Sequence, residues 1–178
     1  MSDPPSIQAY CKTGEIETAQ NMQEITEAIR RLEPLRPVRR FAEVGVLYGG
    51  SAMRYAEALC SPGAADLFLI DVDLPRFAPA ASALRIHFNV HCLLTHEATP
   101  ALLKSLDLLH IDADHSYPAV KHDYETFAPF VRKGGAIVLH DVCGKAGVIM
   151  FWAELQARGL RTETIRISYG PGIGIVWV

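Results

Sequence analysis

Two short stretches, His110-Ile111-Asp112-Ala113-Asp114-His115-Ser116-Tyr117 and Leu139-His140-Asp141-Val142, carry most of the side chains in this sequence that could do chemistry. Each stretch closes an apolar run of strand type. Asp112, Asp114 and Asp141 are therefore expected to gather at the carboxyl edge of neighbouring strands. Clustered carboxylates repel one another unless they share a proton or a cation. Oxygen donors with imidazole nearby suit a hard divalent ion, Mg²⁺, or Mn²⁺ if a histidine joins. Taken singly, each aspartate reads as a loop or helix cap; the three together with His115 and His140 read as a site. Asp114 and His115 are placed to take a proton from an acceptor, with Lys145 as an alternative.

A second constellation lies earlier in the chain, at Glu43-Val44-Gly45-Val46-Leu47-Tyr48-Gly49-Gly50-Ser51. Glycines after a strand let the backbone turn sharply against a ligand, and a helix starting near Ser51 aims free N–H groups at an anion. The spacing is not the GxGxxG of a nicotinamide site. Glu43 would repel a pyrophosphate but suits a ligand carrying an ammonium group, such as S-adenosylmethionine; the alternative is a plain glycine-rich turn. The next strand ends in Asp71-Val72-Asp73, with Asp71 lying 26 positions after Gly45. An acid at that place holds ribose hydroxyls in open α/β folds, and either Asp71 or Asp73 could serve, with Asp71 immediately following the apolar run. Thr95-His96-Glu97-Ala98 is a place for an adenine contact through Glu97, or a surface turn.

Those residues need a scaffold, and the hydrophobic pattern supplies one. Strands are expected at 41–46, 67–71, 90–94, 107–112, 136–140, 164–168 and 173–178, and helices at 51–59, 76–86, 99–105, 118–131 and 147–158. Near-continuous apolar strands separated by helices indicate a parallel sheet covered on both faces. The last two strands, joined across Tyr169-Gly170-Pro171-Gly172, read as an antiparallel hairpin added to it. Ahead of this core at 41–178 lie a loose lead-in over 1–14 and an amphipathic helix from Glu15 to Leu32, ended by Pro34 and Pro37. Alternation along the fourth strand puts Leu108, His110 and Asp112 on one face.

The bulk numbers exclude several classes. The 178 residues carry 49% hydrophobic and 21% charged residues with a net charge of −3, which is globular and argues against bulk binding to nucleic acid. The four cysteines, Cys11, Cys60, Cys92 and Cys143, form no CxxC pair, so neither a zinc knuckle nor a disulfide framework is readable. No apolar run reaches the ~20 residues of a membrane span. The stretch MSDPPSIQAYCKTGEIE has no apolar core of a secretory signal, and a cytoplasmic protein is expected.

The segments EVGVLYGGSA, LIDVD and LLHIDADHSYPAVKHDYETFAPFVRKGGAIVLHDV resemble the class I S-adenosylmethionine-dependent methyltransferases, in particular methyltransferase family 24 near the macrocin O-methyltransferase and cephalosporin hydroxylase group. The resemblance spans roughly residues 41–158 and includes I-D-x-D-H-S-Y, Asp123 and the paired glycines before His140-Asp141. It implies a Rossmann-like α/β fold with a seven-stranded, mostly parallel sheet, an antiparallel last strand and helices on both faces. It also implies that Glu43, Gly45 and Gly49 line the methionine end of S-adenosylmethionine, with Asp71 at its ribose. Asp112 and Asp141 match metal-binding positions, and Asp114 matches a candidate base. Some relatives carry two adjacent acids where this chain has His140-Asp141, so one oxygen donor is lost. The implied reaction is O-methylation of a small-molecule acceptor, with or without Mg²⁺. Only Val142-Cys143-Gly144-Lys145-Ala146 separates the fifth strand from the next helix, leaving no inserted lid. The acceptor pocket is then expected to draw on the N-terminal segment, short loops or a second copy in a homodimer. Two rival functions fit the fold: an inactive cofactor-binding protein, against which the intact acids speak, and an oxidoreductase, against which Glu43 and the missing GxGxxG speak.

Overall fold

The computed structural model describes residues 21–178. The expected lead-in and the start of the first helix lie outside them. The described chain opens on α1 (Met22–Leu32), whose Asn21 side chain caps it by accepting from the amides of Gln23 and Glu24. Strands and helices then alternate: β1 (Arg40–Val44), α2 (Gly50–Leu59), β2 (Asp66–Asp71), α3 (Ala78–Leu84), β3 (Asn89–Leu94), α4 (Pro100–Leu103), β4 (Leu106–Ile111), α5 (Tyr117–Phe127), β5 (Val131–His140) and α6 (Ala146–Ala157). The hairpin β6 (Arg161–Ile165) and β7 (Ile173–Trp177) completes the chain.

All seven strands form one sheet in the order β3-β2-β1-β4-β5-β7-β6. β1 to β5 are parallel, and β7 runs antiparallel to both β5 and β6. The continuous apolar runs follow from burial on both faces. On one face Phe41, Leu67, Leu69, Leu108 and Val138 pack with Ile25, Leu32, Met53, Tyr55 and Leu84 from α1, α2 and α3. On the other, Ala42, Phe68, Ile70, Leu109, Ile111 and Leu139 pack with Leu103, Val120, Phe127, Phe151 and Leu155 from α4, α5 and α6. Each large side chain buried this way contributes about 1.5–3 kcal/mol relative to exposure. The strand order reverses between β1 and β4, which opens a crevice at their carboxyl ends.

Several expected boundaries shift for local reasons. β5 begins at Val131 rather than at residue 136, because Gly134 takes φ +77° and lets the strand continue through an irregular register opposite Leu106 and Leu108. The helix expected to run to residue 131 accordingly ends at Phe127, and a 3₁₀ turn containing Pro129 follows. The helix expected over 76–86 is α3 preceded by a 3₁₀ turn at Leu74–Phe77. The helix expected over 99–105 is one turn, Pro100–Leu103. The hairpin connection is 166–172 rather than the four-residue turn at 169–172, and β6 lies earlier than the expected 164–168. Among the described residues no helix is long and apolar enough to cross a membrane.

Candidate active site

The carboxyl ends of β1, β2, β4 and β5 open into a cavity of about 1070 Å³. Its floor depends on the glycine turn after β1. Gly45 has φ +82°, and a Cβ built there would stand 2.3 Å from the carbonyl oxygen of Asp112. Glycine is thus required where the β1 turn and the end of β4 touch. Gly49, at φ +81°, begins α2, and Ser51 in its first turn lines the cavity with the helix N-terminus behind it. Such a terminus presents amides to an anionic group.

Asp71 organises this turn. Its Oδ2 accepts from the amides of Val46 (2.7 Å) and Leu47 (3.0 Å), and its Oδ1 from those of Val72 (2.7 Å) and Asp73 (3.1 Å). One carboxylate therefore ties the loop after β1 to the loop after β2 while remaining on the cavity wall. Glu43 lies below this surface. Its carboxylate is fully buried, accepts from the Ser51 hydroxyl, and has His110 Nδ1 at 3.2 Å on the neighbouring strand. That histidine is near enough for charge pairing but not aligned for a hydrogen bond, and among the described residues Glu43 Oε2 and the Tyr55 hydroxyl also lack hydrogen-bond partners. Burial, then the charges of Glu43 and Asp112, push the Tyr55 phenol upward.

The acid and histidine cluster forms as the strand ends converge. His115 Nε2 lies 3.0 Å from Asp141 Oδ2 and 3.3 Å from Asp112 Oδ1. His140 Nδ1 lies 3.2 Å from Asp112 Oδ1 and 3.6 Å from Asp141 Oδ2. Two imidazoles thus bridge two carboxylates. Burial opposes charge on Asp112, but hydrogen bonds from His115 and His140 outweigh it and hold its carboxyl far below the usual range. The hydrogen bond to Asp112 is the main cause raising His115 above its ordinary value. Burial disfavours charge on His140, yet the carboxylates of Asp112 and Asp141 prevail and lift it to about 9. Asp112, His115 and Asp141 each offer one ligand atom, all within 4.8 Å of one another. Two carboxylate oxygens and an imidazole nitrogen fit a divalent ion, and the nitrogen favours Mn²⁺ over Mg²⁺.

The remaining expected site residues fall differently. Asp114 lines the cavity but is exposed, and it accepts from the amide of Ser116 at 2.7 Å, which lowers its proton affinity. Glu97 does not line the cavity; it turns back to accept from the amide of Leu94 at 2.8 Å, and Thr95 takes the wall. Tyr117, expected nearest the substrate among the aromatics, donates its hydroxyl to Glu154 on α6. The structure adds Tyr48, Val72, Asp123 and the loop residues Tyr169 and Pro171 to the wall. Asp123 belongs to a recognisable motif, but its half-buried position facing the cavity depends on how α5 docks.

A family model described as a methyltransferase domain, family 24, matches residues 42–142. The Sinorhizobium fredii protein y4gI, an uncharacterised protein, is 29% identical over 163 residues, covering 80% of this chain. The chain spans only 17% of that protein's length. Among solved structures, the O-methyltransferase TomG of Streptomyces achromogenes, in complex with S-adenosylmethionine, is 20% identical with a TM-score of 0.71, covering 99% of this chain and 91% of that one. An O-methyltransferase of Bacillus cereus in complex with S-adenosylhomocysteine is 14% identical with a TM-score of 0.69, covering 100% of this chain and 93% of that one. At these identities the structures share the fold with this chain.

Proposed function

The chain belongs to methyltransferase family 24, and from that premise we propose that it moves the methyl group of S-adenosylmethionine to a hydroxyl of a small-molecule acceptor. The observation that carries this reading is the position of His115, bridging Asp112 and Asp141 on the wall of the same cavity as the glycine turn. The amides at the start of α2 would hold the cofactor's carboxylate, and the loops joined by Asp71 would meet its ribose. Its ammonium and sulfonium charges suit a wall carrying Asp71, Asp112, Asp114, Asp123 and Asp141.

The sulfonium already activates the methyl group. What the chain must add is alignment of the acceptor oxygen with the S–CH₃ bond and removal of its proton. As the O–CH₃ bond forms and the S–CH₃ bond breaks, the hydroxyl proton passes to Nδ1 of His115, whose Nε2 faces Asp112 and Asp141. Asp112 and Asp141 stabilise the resulting imidazolium, and S-adenosylhomocysteine leaves as a neutral thioether. His140, buried behind Asp112, fixes that carboxylate's orientation. A divalent ion held by Asp112, Asp141 and His115 would instead supply Lewis acidity that lowers the pKa of the acceptor hydroxyl. Cys60, Cys92 and Cys143 are free thiols, in keeping with a reducing cytoplasm.

Transfer of a labelled methyl group from S-adenosylmethionine into a metabolite extract tests the reading. His115→Gln is expected to lower the rate by about 10²–10⁴, the usual contribution of a general base, with cofactor affinity unchanged. Unchanged turnover in that variant would overturn the assignment.

A further inference from the structure

Building on the methyl-transfer reading, we propose that the loop 166–172 is the acceptor-recognition element, with Tyr169 and Lys145 selecting a hydroxylated ring that bears a carboxylate. The cavity's 1070 Å³ exceeds the roughly 300–1,000 Å³ of a pocket for one small ligand. The glycine turn, Asp71 and Val72 account for the cofactor. The wall left over includes His115 and, from the loops after β5 and β6, Cys143, Lys145, Tyr169 and Pro171.

The loop is pinned from two sides. From α1, the fully buried Glu24 accepts from the amide of Ile167 at 2.9 Å and from that of Gly172 at 3.1 Å. From the end of β5, the Cys143 amide donates to the Pro171 carbonyl at 2.7 Å, and the Val142 amide to the Gly172 carbonyl at 3.2 Å. A Cβ at Gly170 would stand 2.3 Å from Glu24 Oε1, so the fit leaves no slack there. On this fixed backbone Tyr169 is 97% exposed at the cavity. A buried carboxylate holding a loop that displays a bare aromatic ring has no use in the core. It does present a stacking face at a fixed place, because an aromatic side chain with two rotatable bonds offers large contact area for little ordering entropy on binding.

Lys145 supplies the second half. It is exposed, and among the described residues its side chain makes no ion pair or hydrogen bond, although its charge reaches His115 and lowers that ring's proton affinity. Among the described residues no other lysine or arginine lines the cavity, whose remaining charges are aspartates and histidines. An acceptor carboxylate would be repelled along most of this wall and attracted at Lys145, which orients the ring so that a hydroxyl faces His115.

Aromatic acids and sugar acids share this chemistry, and paired probes separate them. The chain is loaded with S-adenosylhomocysteine and titrated calorimetrically with 3,4-dihydroxybenzoate against 1,2-dihydroxybenzene, and with glucuronate against glucose. In one pair the charged member should bind about tenfold tighter than the neutral one, the scale of a charge-assisted hydrogen bond. Lys145→Met should erase that ratio. Tyr169→Ala, at an exposed position that folding does not need, should weaken both members of the pair about tenfold while keeping the ratio. The proposal is overturned if neither charged probe outbinds its neutral partner, or if the ratio survives Lys145→Met. Failure of S-adenosylhomocysteine itself to bind would instead overturn the methyl-transfer reading, and the proposal with it.

Discussion

Asp71→Asn separates two roles that a single acid at the end of β2 can play. If Asp71 only met the cofactor's ribose, losing a carboxylate oxygen would lower affinity and leave the free protein as stable as before. In this structure the two oxygens receive four backbone amides, two on each. An asparagine side chain replaces one of those oxygens with an NH₂ group, so two amides face a donor. Leaving a buried donor unsatisfied costs about 1–3 kcal/mol, and the loop is open enough for water to satisfy part of the loss. The expected destabilisation without any ligand is therefore about 2–4 kcal/mol. For a domain of this size each kcal/mol lowers Tm by about 2–4 °C, so a drop of about 5–15 °C is expected. Urea unfolding of the ligand-free variant measures it, with S-adenosylhomocysteine titration alongside. A ligand-free stability within about 0.5 kcal/mol of wild type, the range of a neutral surface change, would refute the loop-holding argument.

Gly45→Ala combines the strain of a left-handed residue, about 1–2 kcal/mol, with a backbone clash against Asp112 and Ala113. It should cost about 2–5 kcal/mol in denaturant unfolding, since overpacking adds about 1–3 kcal/mol, and it should abolish cofactor binding. His140, raised from 6.5 to about 9, contributes stability that is fully present below its unfolded value and is lost as pH rises through the folded one. In EDTA, unfolding free energy should fall between about pH 6.5 and 9 by about 3 kcal/mol, and His140→Gln should flatten that slope. Mn²⁺ should raise Tm by mass action and Asp141→Asn should remove most of the rise; equal shifts in both proteins would place the ion elsewhere.

The sheet was readable because parallel strands buried on both faces must be apolar throughout, as in Leu67–Ile70 and Leu106–Ile111. The start of β5 was not, because Arg132-Lys133-Gly134-Gly135 has turn composition; it stays extended through the pairing of Val131 with Leu106 and the backbone hydrogen bonds of Gly134 and Gly135 with Val178. The strand-end positions led to an expected cluster of Asp112, Asp114 and Asp141; the structure brings Asp112 and Asp141 together, but Asp114 turns out to the Ser116 amide and His115 stands in its place. The inward location of Glu43 did not, because one residue's alternation along a strand decides whether a side chain meets ligand or core. Glu24 shows the same limit. Asn21 and Glu24 have the spacing of a capping box, yet the Glu24 carboxylate goes to Ile167 and Gly172, more than 140 residues away in sequence. Local pattern identifies helix starts; it cannot report a partner that distant.

Calorimetric titration of S-adenosylhomocysteine into the whole chain, with NAD⁺ as the comparison ligand, tests the central claim most directly. A cofactor site built from Gly45, Gly50, Ser51 and Asp71, with Gly49 packed against Ala80 instead of lining the cavity, predicts saturable one-site binding of S-adenosylhomocysteine in the micromolar range. It predicts no measurable heat with NAD⁺, whose pyrophosphate would meet an acid-lined wall. Tighter binding of NAD⁺, or no binding of S-adenosylhomocysteine by folded protein, would contradict it.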